Sequence, residues 1–263
     1  MFGSRLAYTA CTLVAVILAG WWIRRRQRGW PLDRGRRWGI AIGGLLGATL
    51  AAKTPFVVGQ STPEQLFAAW LGDGKTILWG LAGGYLGVEL AKWSLRIRGT
   101  TGDSFVVPVA AAVAVGRIGC LLYGCCYGLP TDQTWGIRSA AAPDGGALLR
   151  HPTQVYEFAF HIGFAAIAWA AIGRGLGRGA WMPGYITCYS SFRFASEFWR
   201  AEPPWLGGWT FYQWSALLIG LPFLGITLFR RFGPIASTAP IAVTEVDAGV
   251  NDGKDWPGNK LLP

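Results

Sequence analysis

Charge is scarce in this chain: Asp, Glu, Lys and Arg make up 14% of its 263 residues, against 52% hydrophobic. That shortage excludes most soluble domains, in which about a quarter of residues are charged. No segment combines a basic n-region with a small-x-small cleavage site, so no cleavable signal peptide is expected and residues 6–23 should persist as a first membrane span. A stacking-platform motif is lacking too. The net charge of +10 sits mainly beside apolar runs, where membrane topology accounts for it, and nucleic acid is not expected as a partner. No internal repeat is evident. The five cysteines are an odd number, and Cys11 stands alone in the first apolar run as a small apolar residue.

What is present is apolar length. Seven runs, at about 6–23, 38–56, 76–93, 104–122, 154–172, 180–199 and 210–229, predict an all-α polytopic membrane protein. Pro63-Glu64-Gln65-Leu66-Phe67-Ala68-Ala69-Trp70-Leu71 predicts a short interfacial helix. Basic residues collect on alternate loops: seven arginines lie within 24–37, and Lys92, Arg96, Arg98, Arg174, Arg178, Arg230 and Arg231 border later inner segments. The positive-inside rule then puts the N-terminus outside and the C-terminus in the cytoplasm. Residues 1–232 form one transmembrane domain in this reading. Residues 233–263, polar and aperiodic, read as a disordered cytoplasmic tail. Small residues in 43–47 and 80–87 should let two helix backbones pack closely.

Three polar clusters interrupt this apolar chain. The first is Gly116-Arg117-Ile118-Gly119-Cys120, with Cys125, Cys126, Tyr127 and Gly128 close behind. An arginine at membrane depth is costly without a counter-charge or an anionic ligand. Flanking Gly116 and Gly119 allow close approach, and a guanidinium fork suits phosphate. The second cluster, His151-Pro152-Thr153-Gln154-Val155-Tyr156-Glu157, reads as a helix entry, with Gln154 and Glu157 on one polar face. His151 can take a proton near neutral pH, whereas His161 reads as a core residue with its hydrogen bonds satisfied. In the third cluster Tyr189, Arg193, Glu197 and Arg200 share a helix stripe. Arg193 and Glu197 either neutralise each other, or Arg193 faces the same anion as Arg117. Cys120, Cys125 and Cys126 leave three readings open: a disulfide (Cys120 with Cys125, or either with Cys188), a soft-metal site with His151, or small residues in a tight turn.

Together these blocks resemble the prolipoprotein diacylglyceryl transferase family, over about residues 30–232. Gly116-Arg117-Ile118-Gly119, the block from Arg150 to Glu157, and Tyr189 with Phe192-Arg193-Phe194 and Glu197 to Arg200 carry the likeness. The resemblance implies a multi-pass enzyme of the bacterial plasma (inner) membrane. It would move a diacylglyceryl group from phosphatidylglycerol, drawn from the surrounding membrane lipids, to the lipobox cysteine thiol of a prolipoprotein. No metal and no organic cofactor is implied. Arg117, Arg193, His151, Glu197 and Tyr189 are the implied catalytic residues. Gly116, Gly119, Gln154, Glu157 and Arg200, again with Arg117, are the implied substrate-binding residues.

The sequence departs from the family pattern at three positions. Cys120 stands where the pattern has asparagine, Cys125 where it has an acidic residue, and Trp79 where it has a histidine expected to activate the thiol. The outer segment before His151 is also shorter. Two other functions fit a chain so altered: a non-catalytic lipid-binding membrane protein, or a thiol or soft-metal protein built on Cys120, Cys125 and Cys126.

Overall fold

Each apolar run closes into a helix because a backbone surrounded by lipid must satisfy its own polar groups. The computed structural model describes residues 2–57, 60–72, 74–177, 179–233 and 242–243. Along the chain lie α1 (Phe2–Arg26), α2 (Arg34–Val57), α3 (Pro63–Leu71), α4 (Ile77–Ser94), β1 (Ile97–Arg98), α5 (Gly102–Tyr123), α6 (Thr153–Gly173) and α7 (Trp181–Ser196). A 3₁₀ turn (Glu197–Trp199), β2 (Pro204–Leu206), β3 (Trp209–Thr210), α8 (Phe211–Phe232) and β4 (Ala242–Val243) follow. This is an all-α membrane protein. Helix α3 occupies the segment read as interfacial, and the other seven helices occupy the seven apolar runs.

Five helices, α1, α2, α5, α6 and α8, are long and apolar enough to cross a membrane. The other two carry polar residues. Helix α4 has 18 residues and includes Glu89 and Lys92. Helix α7 has 16, and its expected span is completed by the 3₁₀ turn that begins at Glu197. The expected tail, 233–263, lies outside the described residues except for Gly233 and β4, whose backbone pairs antiparallel with β1.

Packing runs in neighbouring pairs: α2 with α4, α1 with α5, α5 with α6, and α7 with α8. The core draws Tyr85 from α4, Val106 and Ala110 from α5, Ala168 from α6, Tyr185, Ile186 and Tyr189 from α7, and Phe223 from α8. Helices α2 and α4 approach so closely that a Cβ on Gly87 would meet the Gly43 carbonyl oxygen at 2.1 Å. Small residues at such contacts are what membrane helices use in place of a hydrophobic drive.

Local caps fix where the helices end. Thr210 and Gln213 form a reciprocal capping box at the start of α8, at 3.2 and 3.0 Å. Helix α5 ends at Gly124, whose φ of 78° lets its N–H reach back to the Cys120 carbonyl at 3.0 Å. The segment after it is tied down rather than loose. Short bridges join Gly128 to Arg200 and Arg150 to both Pro130 and Ile137. At the opposite end of the bundle, Asp103 accepts from the backbone N–H groups of Gly179 (2.6 Å) and Trp181 (3.3 Å), fixing the α6–α7 turn.

The glycine contacts give a paired test. Gly87→Ala forces α2 and α4 apart and should lower stability in detergent by about 1–3 kcal/mol, the usual cost of overpacking. Gly163→Ala meets nothing within 4 Å and should leave the melting temperature unchanged or raise it slightly.

Candidate functional site

Three helix ends meet at one end of the bundle. The last turns of α5 supply Arg117 and Cys120, the first turns of α6 supply Thr153, Gln154 and Glu157, and the end of α7 with its 3₁₀ turn supplies Tyr189, Arg193 and Glu197. Glu157 is the meeting point. One of its oxygens, Oε2, accepts from Arg117 Nη2 and from the Tyr189 hydroxyl at 2.9 Å, and Oε1 faces Arg200 Nη1 at 3.5 Å. Arg200 continues to Glu197, Nε to Oε2 at 3.7 Å, and to the rim residue Glu202 at 3.4 Å. Glu197 in turn pairs with Arg193 Nη1 and accepts from Thr210 Oγ1 at 3.0 Å. The result is an unbroken chain of alternating charge, Arg117–Glu157–Arg200–Glu197–Arg193.

Four of the five are buried, with Glu157 only 1% exposed, and Arg200 is half-buried with 9% of its side chain exposed. Ions in such a place must be paired, since an isolated buried charge costs several kcal/mol. Three guanidiniums share two buried carboxylates, and a third carboxylate, Glu202, meets Arg200 at the rim. Arg117 Nε and Arg200 Nε are buried N–H donors without a hydrogen-bond partner among the described residues. These two donors suit an oxyanion such as a phosphodiester.

This geometry revises the roles read from sequence. Arg117 and Arg193 do belong to one network, but carboxylates stand between them. Arg193 is engaged by Glu197 and lies over the Tyr212 ring at 4.8 Å, and it is Arg200, not Arg193, that like Arg117 keeps an Nε–H without a hydrogen bond among the described residues. Arg200 follows the break in α7, and the i,i+4 pattern could not show that its side chain turns back to Glu157. Gly116 is open, with nothing near a Cβ placed there, whereas Gly119 packs against Tyr8 and Cys11 of α1 and so serves helix contact rather than the pocket. Gln154 donates to the Cys125 carbonyl at 2.5 Å and so holds a backbone turn. His151 stands at the lip: its Nδ1 is 3.1 Å from the Tyr156 hydroxyl and its ring faces Trp199.

Two residues escaped the sequence reading. His161 is only half satisfied. Its Nδ1 meets the Tyr185 hydroxyl at 2.8 Å, while its buried Nε2 has no partner among the described residues. Its place four residues after Glu157, on the same helix face, was the available signal. Gly128 is the other. A Cβ there would lie 2.4 Å from the Trp199 carbonyl oxygen and 2.8 Å from His151 Cβ. Only glycine allows these three segments to cross, and Leu129 N–H donates to Trp199 O at 2.8 Å beside it. Trp79 donates its indole N–H to Ser215 Oγ at 3.1 Å.

The cysteines are all free thiols, so none of the considered disulfides is formed. Cys188 is exposed on α7, away from the others. Cys120, Cys125 and Cys126 converge, with their sulfurs within 4.8 Å of one another. His151 does not join that group. Cys126 adopts a left-handed backbone (φ 63°), which is uncommon for a residue with a side chain. Its Sγ donates to Cys125 Sγ at 3.5 Å, and the Cys125 thiol donates to the Cys120 carbonyl at 3.7 Å.

Comparison with protein families matches residues 5–229 to the family described as prolipoprotein diacylglyceryl transferase. The match begins in α1, ahead of the region about 30–232 on which the resemblance rests. Among relatives, a protein of Nitratidesulfovibrio vulgaris named phosphatidylglycerol–prolipoprotein diacylglyceryl transferase is 32% identical over 241 residues, covering 82% of this chain and 86% of its own length. A Cupriavidus pinatubonensis protein of the same name is 32% identical over 218 residues, covering 77% of this chain and 75% of its own. One from Bordetella parapertussis is 30% identical over 202 residues, with 74% and 75% covered.

The shared carboxylate sets a measurable order of effects. Glu157→Gln leaves two buried guanidiniums without their common counter-charge and should lower stability by about 3–5 kcal/mol. Tyr189→Phe removes one hydrogen bond to a charged group and should lower it by about 1.5–3 kcal/mol. Thermal unfolding in detergent compares the two; equal losses would remove Glu157 from its central position.

Proposed function

Since the chain belongs to the prolipoprotein diacylglyceryl transferase family, we propose that it transfers the diacylglyceryl group of phosphatidylglycerol to the lipobox cysteine thiol of a prolipoprotein, a step of lipoprotein biosynthesis. The observation that carries this reading is the buried chain of three arginines and two glutamates. Within it Arg117 and Arg200 each keep a buried Nε–H that makes no hydrogen bond among the described residues, two donors for one phosphodiester.

In this mechanism the lipid phosphate docks against Arg117 and Arg200, whose buried Nε–H groups make no hydrogen bond among the described residues. Glu157 and Glu197 do not act as bases. Each already accepts from guanidinium groups, and their part is to hold the forks in place. The acceptor sulfur attacks the glyceryl carbon next to the phosphate ester oxygen. As the carbon–oxygen bond breaks, charge grows on the phosphate oxygens, where the arginines stabilise it. Glycerol phosphate leaves and a thioether remains. Tyr189 keeps Glu157 oriented through its hydroxyl, and His151, half-buried at the lip beside Tyr156, relays protons toward water.

The protein spans the bacterial plasma membrane several times, with the N-terminus outside. The arginine-rich segment after α1 and the basic end of α8 then face the cytoplasm. This orientation puts the ion-pair chain at the outer face, where a secreted precursor arrives.

Reconstitution in phosphatidylglycerol vesicles with a lipobox peptide tests the reading. Thioether formation is expected, and Arg117→Ala and Arg200→Ala should each cut its rate about a hundredfold or more, as loss of a transition-state donor does. Folded protein that makes no thioether from this donor would sink the proposal.

A further inference from the structure

The proposed transfer needs the acceptor thiol to lose a proton, and Glu157 and Glu197, both held by guanidiniums, are not placed to take it. Three thiols gather instead at the end of α5. Their sulfurs lie within 4.8 Å of one another, and those of Cys125 and Cys126 are 3.5 Å apart. Thiolates around a tetrahedral zinc, with Zn–S of about 2.3 Å, are separated by about 3.8 Å, so small side-chain rotations would seat an ion here.

The turn that carries the thiols is held from outside. Ser139 Oγ donates to the Gly124 carbonyl at 2.6 Å, Gln154 Nε2 to that of Cys125 at 2.5 Å, and Thr153 Oγ1 to that of Cys126. Three successive carbonyls fixed by three side chains, with Cys126 in a strained left-handed conformation, make a preorganised donor set rather than a chance cluster. Arg117 Nη1 already faces Cys120 Sγ at 3.8 Å.

Sulfur donors favour a soft ion, and three protein ligands with no fourth among the described residues match a zinc site that keeps one position for a substrate. We propose that Cys120, Cys125 and Cys126 bind one zinc ion whose fourth position takes the acceptor cysteine sulfur and activates it for transfer. This rests on the transferase reading and supplies its missing step. A thiol bound to zinc is deprotonated outright. A thiol so activated would form the sulfur–carbon bond as the carbon–oxygen bond breaks, with the electron pair leaving on the phosphate oxygen held by Arg117 and Arg200. The proton lost from the thiol ends on glycerol phosphate or in water, and the neutral thioether, a weak ligand, leaves the metal. No oxidant or reductant is involved.

The test uses full-length protein purified without chelators. Elemental analysis should find one zinc per chain. Cys126→Ser should lose it, Cys126→His should retain it, and Cys188→Ser should be unaffected. In cobalt-substituted protein, a lipobox peptide with cysteine should shift the tetrahedral d–d bands, and the same peptide with serine should not. Chelator stripping should lower the thioether rate about a hundredfold, with zinc restoring it. Metal-free protein with three titratable thiols, a disulfide among them, bound copper, or a stripped enzyme of unchanged rate would each overturn the zinc site while leaving the transferase standing. Zinc bound with a peptide-dependent cobalt spectrum but no thioether product would instead overturn the transferase reading alone.

Discussion

A single carboxylate, Glu157, reconciles the bundle with its own buried charge. Arg117 and Arg200 come from segments far apart in the chain, and neither could enter this environment without a counter-ion. Glu157 reaches both because it sits in the first turns of α6, where the α5 and α7 ends converge. Much of the local architecture follows from keeping it there. Tyr189 orients one oxygen, and Thr153 and Gln154, just before it, bind the thiol turn. Glu197 repeats the arrangement for Arg193, steadied by the Thr210 cap of α8.

Lipid-facing structure was legible in the sequence because it depends on length and periodicity. The short helix Pro63–Leu71 and the seven longer runs could be placed from apolar residues, prolines and flanking charge alone. The glycines of α2 and α4 were legible in kind, as close packing, although which helix met which was not. The site was only half readable. Arg193 and Glu197 share a helix face, so their pairing could be anticipated, but both outcomes considered for Arg193 treated Arg200 as an extension of the same stripe. Arg200 lies past the 3₁₀ turn, where helical periodicity no longer says where a side chain points.

Other residues were only partly legible for the same reason. Gly119 offered room for a ligand or a second backbone, and Tyr8 and Cys11 of α1, a hundred residues earlier in the chain, come close to it. His161 looked like a finished core residue, and only tertiary placement reveals its idle nitrogen. Spacing alone left the cysteines open to several pairings. Their convergence depends on a left-handed turn and on hydrogen bonds from residues about 15 to 30 positions downstream, information absent from local sequence.

Gly128 has a bearing on how such a protein can change over time. Because three backbones cross at that one point, the spacing between the thiol turn and the segment leading to Arg200 is set by main-chain contact rather than by adjustable side chains. The seats proposed for lipid and for protein substrate would thus be geared together. A lineage shifting its taste for one would drag the other along, so drift in headgroup preference and drift in precursor preference should be inherited as a linked trait.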